Sequence, residues 1–228
     1  MAKRTKKFLD VGLAFLMVTA LLFSSPAWAT DPVEQQRTVD KALITFQNFI
    51  AKKARFRDNV KDARGILIFP NLVRAGIILG GSGGSGVLVA WNERAEEWSQ
   101  PVFYTVRSVS FGLQVGGEAA QVIMIIWTQN TLDALYRNMF KVGGDASVAA
   151  GPVGVGTQWE VTGDLLSFAK CWGLFGGLLY DGSMLRVNDD SNKAYYGKAV
   201  TPADIIVKNA VSNPGSTKLR QALKSAAR

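Results

Sequence analysis

The side chains able to do chemistry in this chain are few, and they do not gather. Its 228 residues include no histidine and a single cysteine. Without imidazole there is no His-dependent triad, no imidazole general base and little scope for zinc chemistry. Groups that act without histidine remain, chiefly Ser82, Ser85, Asp145, Glu160, Asp164 and Lys170. No spacing joins them into a constellation, and serines set between glycines are usually turn residues. Cys171 lies in the apolar run Ala169-Lys170-Cys171-Trp172, a setting for a small buried hydrophobe. Being alone, it offers no intramolecular disulfide. No catalytic residue, metal site or cofactor is therefore expected.

The glycine tract Gly80-Gly81-Ser82-Gly83-Gly84-Ser85-Gly86 contains G-x-G-x-x-G at Gly81, Gly83 and Gly86. A dinucleotide site would need a helix to follow and an acid about 20 residues on. Instead Val87-Leu88-Val89-Ala90-Trp91 follows, a strand sequence, and residues 100–110 hold no acid. No Lys-Ser/Thr pair follows the glycines, so the tract is not a P-loop either. Between apolar runs such glycines mark tight turning, bulging or close backbone approach. They could also line a narrow groove for an acyl chain, with Gly81, Gly83, Gly84 and Gly86 as its walls.

Charge supplies the other candidate site. Lys52, Lys53, Arg55, Arg57, Lys61 and Arg64 are opposed only by Asp58 and Asp62. Such a run reads either as a solvated helix end or as a cationic surface lying on anionic lipid. The whole chain has a formal net charge of +8. Its first residues look like an export signal: basic Lys3, Arg4, Lys6 and Lys7, an apolar core from Val11 to Phe23, and Ala27-Trp28-Ala29 as a cleavage site. That leader holds four basic residues and one acid, so residues 30–228 carry a modest +5. Such a charge favours anionic surfaces at long range. Nucleic acid is not an expected partner.

The elements that must position these residues follow from periodicity. Val39, Leu43, Phe46 and Ile50 share one face of a helix over Asp31 to about Arg57. Apolar runs at Ile66–Phe69, Ile77–Leu79 and Val87–Val89 read as strands. Trp91 and Trp98 bracket a polar hairpin loop, whose rings could pack on the sheet or touch a protein partner. Pro101–Thr105 begins a further strand, Val109–Val115 alternates, and Val122–Trp127 is continuously apolar, as in a strand covered on both sides. A helix is expected over Asn130–Phe140, and Val148–Val155 suits an edge or bent strand. Asp164–Tyr180 reads as two strands and Arg186–Asn192 as a polar turn. Helices return at Thr201-Pro202-Ala203-Asp204, a capping sequence, and at Thr217–Ala227. The expected fold is α+β: a predominantly antiparallel, strongly curved sheet or partly closed barrel. An N-terminal amphipathic helix, one inserted helix and C-terminal helices complete it, in one domain over residues 30–228.

Seven stretches, in order, resemble the SYLF family, also called the lipid-binding or actin-binding domain family. They are Ala63–Pro70, Gly76–Gly86, Trp98-Ser99-Gln100-Pro101, Ser110–Gly116, Gly144–Gly154, Gly173–Gly177 and Tyr196-Gly197. The resemblance implies a non-enzymatic module that binds lipid through a basic amphipathic N-terminal segment. On this chain the implied contacts are Lys41, Lys52, Lys53, Arg55 and Arg57, joined by Lys61 and Arg64 of the basic run. With the leader, it implies a bacterial exported member: a periplasmic or secreted envelope protein bound peripherally to anionic phospholipid. Actin, absent from that compartment, is then not an expected partner. The competing expectation is an envelope interaction module that uses Trp91 and Trp98.

Overall fold

The computed structural model describes residues 31–52, 54–76, 79–111, 116–137, 139–141, 148–150, 164–172 and 183–227. The leader and the second strand expected near Gly176 lie outside them. Helix α1 (Pro32–Lys52) and helix α2 (Ala54–Lys61) come first. Strands β1 (Gly65–Gly76), β2 (Leu79–Asn92), β3 (Glu97–Trp98), β4 (Val102–Phe111) and β5 (Gly116–Ile126) follow. Then come α3 (Gln129–Leu135), β6 (Met139–Lys141), β7 (Val148–Ala150), β8 (Leu165–Trp172) and β9 (Met184–Val187). Helices α4 (Asp189–Tyr196), α5 (Pro202–Ile206) and α6 (Thr217–Ala226) close the chain.

The strands form one curved, largely antiparallel half-barrel sheet in the order β6-β9-β4-β2-β1-β5-β8-β7, with β3 pairing β2. Among the described strands only β7 and β8 run parallel. The fold is α+β, with an N-terminal helix, an inserted helix and C-terminal helices. Both faces of the sheet are covered, which is why β5 reads as an unbroken apolar run. Its Val122, Met124 and Ile126 face one core with Leu132 and Leu135 of α3 and Ile205 of α5. Ile123 and Ile125 face the other, with α1, α2, α4 and α6.

Strand β1 lies between β2 and β5, yet it contains Pro70. Proline has no N–H to give a ladder, so inside a sheet it belongs at an edge or a bulge. The register answers this. Ile68 faces Val87 and Val73 faces Gly83, five residues on β1 against four on β2. Against β5, Phe69 faces Val122 and Leu72 faces Ala120. One extra residue is thus accommodated at Pro70-Asn71 relative to both neighbours, a β-bulge. The bulge reverses the alternation: Phe69 and Leu72 share a face, and Val73 turns to the opposite side.

The glycines opposite the bulge make room for it. A Cβ on Gly84 would lie 2.5 Å from the Asn71 carbonyl oxygen and 2.7 Å from Leu72 Cδ2. One on Gly86 would lie 2.5 Å from the Phe69 ring. Close backbone approach is therefore what this part of the tract does, within a strand and not in a turn. Two expectations differ in extent or kind. Helix α3 ends at Leu135, because Met139–Lys141 is drawn into pairing with β9. Residues read as a polar turn hold the start of α4, whose Asn188 side chain accepts from the Ser191 N–H at 3.0 Å.

Replacing Gly84 by alanine is expected to destabilise the fold by about 1–3 kcal/mol, the usual cost of overpacking. Alanine at Gly83, whose Cβ would meet only the Val106 carbonyl oxygen at 3.5 Å, should cost clearly less. Urea unfolding of the two variants measures the difference.

Candidate functional site

Helix α1 forms because its apolar residues recur on one stripe, and that stripe is docked. Val39, Ala42, Phe46 and Phe49 are buried with Phe56 and Val60 of α2 and Leu219 and Leu223 of α6. Leu43 and Ile50 pack against the same core. Phe56 links the layers: its ring is 5.8 Å from Phe46, 5.6 Å from Phe49 and 5.1 Å from Phe168 of β8. The outward strip of α1 carries Arg37 and Lys41, both exposed, together with Val33 and Ile44, the latter 55% exposed.

The basic run divides. Arg57 is exposed. Lys61 lies 3.6 Å from Asp58. Arg64 donates to Glu93 of the β2–β3 turn, so it is neutralised by an acid distant in sequence. The side chains of Lys52, Lys53 and Arg55 lie outside the described residues. At the C-terminal end of α1 a groove of about 310 Å³ opens between α1 and α6. Phe46, Ile50, Ala51, Ala222 and Ala226 line it, and Arg57 stands on its wall. It is an apolar slot with a cation beside it, a geometry suited to an amphiphile. Among the described residues no helix is long and apolar enough to cross a membrane.

The other nominated residues fare differently. Gly84 and Gly86 are filled over by Leu72 and Phe69, so the walls proposed for an acyl groove carry the sheet's own side chains. Gly83 faces the opposite side, and the side of Gly81 lies outside the described residues. Trp98 is 1% exposed, and its ring packs edge-on to Trp91 at 5.6 Å. Of the two expectations for these rings, Trp98 meets the one of packing on the sheet, and Trp91 beside it is half-buried. Asp145 and Glu160 lie outside the described residues. Among those described no cluster of three or more potential metal ligands occurs.

What sequence reasoning missed is the chemistry of Trp98-Ser99-Gln100-Pro101. Ser99 Oγ accepts from the Ala90 N–H at 3.0 Å. The buried Gln100 side chain accepts from the Asn213 N–H (3.2 Å) and Ser216 Oγ (2.8 Å), and donates to Ser212 Oγ (3.2 Å). The Pro101 carbonyl accepts from the Tyr196 hydroxyl at 2.6 Å, and the Trp98 carbonyl from Arg220 Nε at 2.7 Å. Arg220 also pairs with Glu97 at 2.9 Å. The tetrapeptide clasps the C-terminal segment to the sheet. Burial pushes the phenols of Tyr104, Tyr195 and Tyr196 well above their ordinary range; Tyr136 adds to this at Tyr104, Asp40 at Tyr195, and Tyr195 at Tyr196. These groups stay protonated at neutral pH and serve as hydrogen-bond donors or packing.

Residues 107–226 match the Ysc84 family, described as "Las17-binding protein actin regulator". The chain belongs to this family. It is similar to LAS seventeen-binding protein 3 of Saccharomyces cerevisiae, 28% identical over 164 residues, 69% of this chain and 35% of that protein. It is also similar to Protein YSC84 of the same yeast, 26% identical over 175 residues, 74% of this chain and 37% of the relative. The human SH3 domain-containing YSC84-like protein 1 is 26% identical over 152 residues, 64% of this chain and 44% of the relative. The chain thus spans between a third and a half of the curated relatives it matches. No solved structure matches it.

The family is one of regulators that act by binding, and the chain is non-enzymatic. The comparisons also overturn several expectations. The relatives are yeast and mammalian proteins, so the reading as a bacterial exported member has no support. The periplasmic, secreted or envelope placement falls with it, and the relatives lend the export-signal reading no support. The expectation against actin is overturned as well, since the family is described as an actin regulator.

Gln100→Ala leaves the Asn213 N–H without its acceptor, while the Ser216 hydroxyl keeps the Asn213 carbonyl at 2.9 Å. At about 1–3 kcal/mol for a group left unsatisfied, it should lower stability by about 1–3 kcal/mol. Chemical denaturation of the full chain measures this loss.

Proposed function

We propose that the chain binds anionic phospholipid at a membrane surface, through the outward side of α1 and the adjoining Arg57 of α2, as part of an actin-regulatory role. The observation that carries this reading is the apolar groove beside Arg57, with Lys41, Arg37 and Ile44 exposed on the adjoining strip of α1. Apolar lining next to cations suits a molecule with a greasy tail and a charged head. Each lysine or arginine near an anionic surface adds about 1 kcal/mol, an attraction that salt screens. Because Val39, Phe46 and Phe49 are already committed to the core, the helix acts in place. It adsorbs by its outward side and does not roll its apolar face into the bilayer.

Actin is a second partner, favoured by the family description. The same outward cations are available to it, so vesicles and filaments should compete for one surface.

Vesicle sedimentation tests the lipid reading. The full chain should pellet with vesicles containing anionic lipid, less so as salt rises, and weakly with neutral vesicles. Changing Lys41 and Arg57 together to glutamine should weaken binding by roughly thirtyfold, at about 1 kcal/mol for each cation. Equal pelleting with neutral and anionic vesicles would refute the reading.

A further inference from the structure

Among the described residues the helical layer over the sheet reaches only to the first turn of α4, and strands β4 and β9 run on past it. Thr105 faces Arg186 and Arg107 faces Met184 across the β4–β9 ladder. These four side chains therefore share one face, while Tyr104, Val106, Leu185 and Val187 point into the core on the other. Arg107 and Arg186 are diagonal neighbours on that face, within reach of one another's ligands. Opposite them, the first turn of α4 carries Asp189 and Asp190, where acids are favoured by the helix dipole. The space between is a cleft of about 730 Å³. Its floor is fixed: the Asn188 N–H donates to the Phe103 carbonyl at 2.9 Å, and Asn188 Nδ2 donates to Thr105 Oγ1 at 3.2 Å.

All four charged side chains are exposed to this cleft. Among the described residues no ion pair joins either arginine to either aspartate. Charges of both signs thus stand apart along one concavity on rigid elements, with their hydrogen-bonding capacity unspent. Low-dielectric walls strengthen the field inside such a cleft. Two guanidinium groups on neighbouring strands suit a phosphate, which accepts from both. Two carboxylates on the facing wall disfavour a polyanion and suit an ammonium carried by the same ligand. Gly83, level with Arg107 on β2, adds no side chain to obstruct the approach.

We propose that this cleft binds a zwitterionic phosphate ester with a primary ammonium, of the phosphoethanolamine type. The phosphate lies on Arg107 and Arg186, and the ammonium donates to Asp189 and Asp190. The ester could reach the cleft as a free molecule or as a membrane headgroup. The half-buried sheet beside it, where Met184 is 40% and Val73 49% exposed, would lie against the glycerol end of a lipid.

Titration of the ¹⁵N-labelled full chain, followed by backbone amide shifts, tests the proposal. Phosphoethanolamine should shift residues 104–107 and 184–190 and saturate at a concentration at least tenfold below phosphate, ethanolamine or phosphocholine, whose quaternary nitrogen has no N–H. Arg107→Gln with Arg186→Gln should abolish the shifts. Asp189→Asn with Asp190→Asn should bring phosphoethanolamine down to the level of phosphate. Equal affinity for phosphate and phosphoethanolamine, or shifts confined to other parts of the sheet, would overturn the assignment. Neutral phosphatidylcholine vesicles with and without phosphatidylethanolamine then separate the sources. Pelleting that depends on phosphatidylethanolamine and is lost in the arginine double variant identifies the lipid; soluble binding without such pelleting identifies the free ester. These vesicles carry no anionic lipid, so the result is independent of Lys41 and Arg57.

Discussion

A single buried amide ties together parts of the chain more than a hundred residues apart. Gln100, just ahead of β4, holds the backbone of Asn213 and the hydroxyls of Ser212 and Ser216. Asn213 in turn donates to the Tyr195 carbonyl at 2.9 Å and accepts from the Gly215 N–H. The Gly215 carbonyl accepts from Gln36 of α1 at 3.0 Å. Through this relay the sheet fixes the C-terminal segment, and the segment fixes α1. Buried polar groups in such a chain are costly to leave unpaired, so the arrangement holds as a unit. With it in place, α6 lies along α1, and the groove between them exists at all.

The sheet contributes the second constraint. Covered on both faces, it must satisfy two cores at once, and the bulge at Pro70-Asn71 lets one strand change which core it serves. Among the described residues the helical layer ends beyond the bulge, and Val73, Gly83, Arg107 and Met184 lie in one row across four strands. The molecule therefore offers two surfaces of different character. One is a cationic stretch of helix beside an apolar slot, and the other is a stretch of sheet whose described side chains carry charges of both signs. Neither contains a group poised for covalent or acid–base chemistry.

Much of this was legible in the residues. The spacing of Val39, Phe46 and Ile50 foretold α1, and Thr201 with Asp204 foretold a capped helix, realised as a full capping box. The glycine tract signalled close approach by its composition, but its partner, the bulge on β1, could be seen only once strand pairing was known. Helix α4 was hidden because Asp-Asp-Ser-Asn-Lys is a turn composition; its helicity rests on the Asn188 cap and on Tyr195, which packs 5.0 Å from Phe103. Helix α3 was overestimated because local period cannot register the pull of β9 on Met139–Lys141. The pairing of Arg64 with Glu93 was equally invisible, since it depends on a hairpin returning to the end of α2. Compartment was the largest error: a leader-like composition outweighed a family likeness that pointed elsewhere.

The account depends on α1 remaining seated while its outward cations meet the membrane. Hydrogen exchange of its amides between Val39 and Phe49, with and without anionic vesicles, addresses this directly. Protection that stays the same or rises on vesicle binding is the predicted result. Loss of protection across that stretch would mean that the helix leaves the sheet to insert, and would contradict the account.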